Sequence, residues 1–124
     1  MARLKRPASL TVALLSAAVT LSSCGTGGAT TDARQACRSV HHSLVVYARS
    51  RTPDLRPAQR RALEGRALQL MLRATPAAAA ATSLDGSWNP LVTTINEAER
   101  VPITYLVPAL TRLCQIADSS TPYP

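Results

Sequence analysis

The sequence has no phenylalanine, and one tryptophan with three tyrosines makes up its aromatic content. So few rings leave little for base stacking, which argues against a nucleic-acid surface. There are two histidines, His41 and His42. Adjacent helical residues point about 100° apart, whereas chelation from one helix needs i, i+4 spacing. Acidic residues number seven, too few to complete a metal site readily. A pair of carboxylates for acid–base work would have to come from Glu97 and Glu99, which diverge by about 200° on a helix. No Gly-x-Ser-x-Gly turn presents a nucleophile, and the glycines at 25, 27 and 28 follow no strand and open no phosphate-binding unit. These absences predict a chain that is not an enzyme, with no catalytic residue, no metal and no cofactor.

The N-terminus carries a different kind of information. Arg3, Lys5 and Arg6 precede residues 8–21, a run of fourteen apolar or small residues without a charge. A helix of that length reaches about 21 Å, short of the roughly 30 Å hydrocarbon core, so a permanent transmembrane helix is disfavoured. Leu21, Ser22, Ser23 and Cys24 close the run. The order of basic head, short apolar stretch and cysteine resembles a bacterial lipoprotein export signal. The resemblance covers residues 1–24. It implies that Leu21, Ser22 and Ser23 form the recognition positions, that the Cys24 thiol takes a diacylglycerol, and that cleavage leaves Cys24 as the first mature residue. Two or more acyl chains hold a protein at a membrane more durably than a single chain does. The plainer alternative is an ordinary secreted protein whose cysteine falls near the cut.

Removing residues 1–23 leaves a length suited to one domain. It also removes three of the fourteen basic residues, so eleven, all arginine, face seven acids, a net charge of +4. Arginine in place of lysine, with abundant alanine, makes the whole similar to small envelope lipoproteins of actinobacteria. With Cys24 lipidated, Cys37 and Cys114 remain as a pair with one connectivity. Outside the cytoplasm such a pair is expected to oxidise, and the alternative is two buried thiols.

The rest reads as an all-α domain. Residues 24–31 form a Gly- and Thr-rich stretch, read as a flexible tether, the domain covers 32–118, and residues 119–124 form a frayed tail. Asp32 opens a first helix, with Ala33, Cys37, Val40, Leu44 and Tyr47 on its inner face and Arg34, Arg38 and Arg49 opposite. Pro57 suits the first turn of a second helix with Leu63, Ala67, Leu70, Met71 and Ala74 inside. Pro76 either ends this helix or kinks it, and residues 77–81 are strong helix formers that extend it. After the turn at Asp85, Gly86 and Ser87, a third helix runs from Trp88 to about Arg100, with Trp88 assigned to the core. The β-branched cluster at residues 92–95 is an alternative strand with no evident partner. Ile103, Leu106, Val107, Leu110, Leu113, Cys114 and Ala117 form the strongest stripe, and Pro108, off that stripe, kinks or restarts the last helix. Four helices with short connections predict an up-down-up-down bundle that brings Cys37 and Cys114 to one end.

Function is read from location and charge. The expected role is a small binding or scaffolding module on the extracytoplasmic face of the cell membrane. Its arginine-rich surface, with Arg60, Arg61 and Arg66 as the candidates, would meet an envelope protein or an anionic polymer, not nucleic acid. The alternative is a carrier or sensor of a small apolar ligand, held in a cavity opened by the alanine-rich segment and the proline kinks. His41 is expected to be capped or half-buried.

Overall fold

A computed structural model describes residues 26–119. The export signal, Leu21, Ser22, Ser23, Cys24 and the last five residues lie outside the described residues. Those described form five α-helices and no strand: α1 (Thr26–Ser50), α2 (Pro57–Leu72), α3 (Thr75–Leu84), α4 (Asn89–Glu97) and α5 (Ile103–Ser119). A single 3-10 turn, Gly86–Trp88, links α3 to α4. The β-branched residues 92–95 lie within α4.

The helix α1 begins at Thr26 and takes in most of the stretch assigned to a tether. Glycine and threonine are poor helix formers, but tertiary burial overrides that preference. Ala29 is fully buried, a Cβ at Gly28 would lie 3.4 Å from Leu84 Cδ1, and Thr31 Oγ1 donates to the Gly27 carbonyl at 2.9 Å. At 25 residues α1 is about 37 Å long. It packs against α2 and then α3 along one side and against α5 along another, while α4 bridges α3 and α5.

Pro76 kinks the second arm instead of ending it. A proline removes the amide that would bond to Leu72 and crowds the Leu72 carbonyl. Arg73 and Ala74 nevertheless keep right-handed helical angles. The Ala74 amide bonds to Met71 at 3.0 Å and that of Ala78 to Ala74 at 3.0 Å, a tightened turn between α2 and α3. The two therefore make one bent arm, and the bundle has four arms. In α5, Pro108 sits inside an unbroken helix, and its neighbours on that face are exposed, so water can serve the carbonyl left without an amide.

Small residues dominate where α1 meets α3. Ala29, Ala33 and Ala36 on α1 and Ala78 and Ala81 on α3 are all fully buried. Short side chains let two backbones approach closely, so the alanine-rich segment packs into the core. Ala78→Leu is expected to destabilise the domain by about 1–3 kcal/mol through overpacking, read as a lower urea midpoint, whereas Ala79→Leu, on the exposed face, leaves it unchanged.

The core also holds Met71, Leu91, Ile95 and Leu110, and Trp88 is buried as well. The third helix ends earlier than expected, at Glu97, because the backbone turns through Ala98, Glu99 and Arg100. Cys37 and Cys114 form a disulfide with a Cα–Cα distance of 5.5 Å, joining the middle of α1, which starts earlier than expected, to the last turns of α5. Nearby, Arg34 departs from its expected outer position. It is half-buried, and its Nε donates to the Ala117 carbonyl at 2.9 Å, placing a cation at the C-terminal end of α5.

Candidate functional site

Two surface clefts stand out. The first, about 480 Å³, lies at the end of the bundle away from the start of α1. Four segments build it. Tyr47 and Arg51 come from the end of α1, Glu64 and Leu68 from α2, and Tyr105 from the start of α5, while residues 98–102 form one wall. Tyr105 is 74% exposed, so its ring stands at the mouth, and half-buried Leu68 forms part of the apolar wall. Arg100 pairs with Glu97, an exposed pair that adds little stability. Arg51 has no ion-pair partner within reach among the described residues.

The second cleft, about 490 Å³, runs along the outer face of α2 and is lined by Arg61, Arg66, Gln69 and Arg73 with the small residues Ala62 and Gly65. Arg66 and Arg73 are seven residues apart, two turns, and so share a face. Both, with Arg61, are exposed. Arg60, a sequence candidate for the same surface, is exposed on α2 but projects round the helix, outside the cleft lining. Arg73, at the end of the arginine-rich stretch but not among the three named candidates, joins Arg61 and Arg66, and its seven-residue spacing from Arg66 is the signal for it.

Comparison with known proteins gives no identity. No protein-family model matches the chain, and neither a curated protein nor a solved structure is similar to it.

The remaining candidates are separated. His41 is exposed, not half-buried, because the buried face of α1 runs through Cys37, Val40 and Leu44; its Nε2 lies 3.8 Å from Asp118 Oδ2. His42 is also exposed. Among the described residues no group of three His, Cys, Asp or Glu side chains could hold a metal ion. Asp85 closes the turn before α4, accepting the Ser87 amide at 2.9 Å, and that hydrogen bond holds its carboxyl below the ordinary carboxylate value. Its role is to cap the 3-10 turn. No helix among the described residues is long and apolar enough to cross a membrane.

Proposed function

We propose that this chain is an extracytoplasmic lipoprotein, anchored to the cell membrane through diacylated Cys24, whose helical domain binds an anionic polymer of the cell envelope along the outer face of α2. The anchor rests on the order of basic head, apolar run and Cys24. The observation that carries the binding reading is the convergence of Arg61, Arg66 and Arg73 on one open cleft. None of the three has an acidic partner within reach among the described residues, so their charge is directed at solvent or at a ligand. A planar guanidinium with several donors suits phosphate and carboxylate groups.

The test is retention on immobilised poly(glycerol phosphate). Retention is expected to fall as salt is raised. At about 1 kcal/mol per arginine near an anionic surface, the combined change Arg61→Glu, Arg66→Glu and Arg73→Glu weakens binding on the order of 100-fold or more. All three side chains are exposed, so the variant keeps its helicity. A folded variant retained as tightly as the parent would sink the reading.

A second reading, a carrier or sensor of a small apolar ligand, is supported by the cleft at the far end of the bundle. Tyr47, Leu68 and Tyr105 supply apolar surface there, and Arg51 supplies a cation. An aryl sulfonate dye is expected to bind with saturable one-to-one fluorescence enhancement that Tyr105→Ala abolishes. Enhancement that never saturates, or that survives Tyr105→Ala, contradicts this reading.

A further inference from the structure

The early start of α1 constrains how the domain meets the membrane. The helix begins two residues after Cys24, and two residues span at most about 7 Å. A diacylated Cys24 therefore leaves no slack between the lipid and a packed helix. This inference rests on the anchor proposed above.

Only one end of the bundle carries the start of α1. Leu84, the last residue of α3, lies against Gly28 at that end, and the 3-10 turn with Trp88 follows it directly. Leu84 touches α1 yet remains 52% exposed, an apolar side chain beside the point where the chain leaves for the anchor. We propose that this end of the bundle rests on the outer surface of the lipid bilayer, with Leu84 at headgroup level beside the acylated cysteine. The bundle then stands away from the membrane. Tyr47 lies 21 residues beyond Thr26 on α1, or about 30 Å along the helix, so the Tyr47–Tyr105 cleft faces outward. The arginines of α2 lie on the side wall, free to meet a polymer that passes the domain.

The chain's single tryptophan, Trp88, reports the arrangement without a label. The full lipidated protein is reconstituted into phosphatidylcholine vesicles whose lipids carry bromine near the glycerol end of the acyl chains. A loss of Trp88 fluorescence relative to unbrominated vesicles is expected. A Gly/Ser insertion of about 15 residues between Cys24 and Thr26 supplies a flexible spacer and is expected to reverse much of that loss. Leu84→Glu, a change at an exposed side chain, is expected to reduce it. Acylated, vesicle-bound protein with no loss overturns the orientation, as does a loss insensitive to both changes. A loss that depends on protein density assigns Leu84 to a contact between copies and overturns it too. An unacylated intact mass instead overturns the anchor, and this inference with it.

Discussion

Replacing both Cys37 and Cys114 by alanine is expected to lower the thermal midpoint by roughly 15–25 °C. The bridge spans 77 positions, and closing a loop of that length restricts the unfolded chain by about 4 kcal/mol in the chain-entropy model. For a domain this small that is a large share of the total stability. Both sulfurs are buried, so alanine also leaves a void in the folded state, which adds to the loss. The position of the bridge magnifies its effect, because every other helix lies between the two joined residues. Thermal unfolding with and without reductant separates the contributions. Reduction alone should give most of the shift, and a shift of only a few degrees would mean that the core, not the bridge, holds α5 in place.

The second large effect is expected at Leu110. Its side chain is fully buried on the inner stripe of α5, between Leu106 and Cys114. Leu110→Ala removes the transfer free energy of the lost groups and leaves a cavity that the neighbouring helices cannot close, a loss of about 3 kcal/mol in urea unfolding. Leu113, on the same helix but only half-buried, serves as the comparison, and Leu113→Ala should cost clearly less. Because Leu110 sits one turn from Cys114, the double change with the disulfide removed should depart from additivity. Equal costs at positions 110 and 113 would contradict the assigned face of α5.

The stripe of α5 was legible because periodicity is a local signal, and the cysteine pair because two remaining cysteines allow one connectivity. Of the seven residues in that stripe, Ile103, Leu106, Leu110, Cys114 and Ala117 are buried, while Val107 and Leu113 at its edges are half-buried. Two cysteines on the first and last helices report that these pack together, although Cys37 lies at the middle of α1 and not at its start. The start of α1 was not legible, since Gly27 and Gly28 read as a tether by composition and become helical only through burial of Ala29 and contact with Leu84. Arg34 misled for a similar reason. Its position on the helix wheel points outward, but a long side chain reaches the end of α5 and bonds to the Ala117 carbonyl there. Pro76 and Pro108 carry the same sequence signal with different outcomes, a kink in a bent arm and a continuous helix.

The sites follow the same division. Arg61 and Arg66 could be read as part of a basic surface because they lie on one helix, and Arg73 extends it at helical spacing. The far-end cleft could not be read, because Tyr47, Leu68 and Tyr105 converge from three helices through the fold alone. Nor could the position of Leu84, whose contact with Gly28 joins residues far apart in the chain.

The most direct test of the account is the intact mass, under non-reducing conditions, of the protein extracted from the membrane fraction. The account predicts residues 24–124 with acyl chains on Cys24 and the loss of two hydrogens at Cys37 and Cys114. Protein recovered from the medium with an unmodified Cys24, or membrane-extracted protein with Cys37 and Cys114 as free thiols, would contradict it.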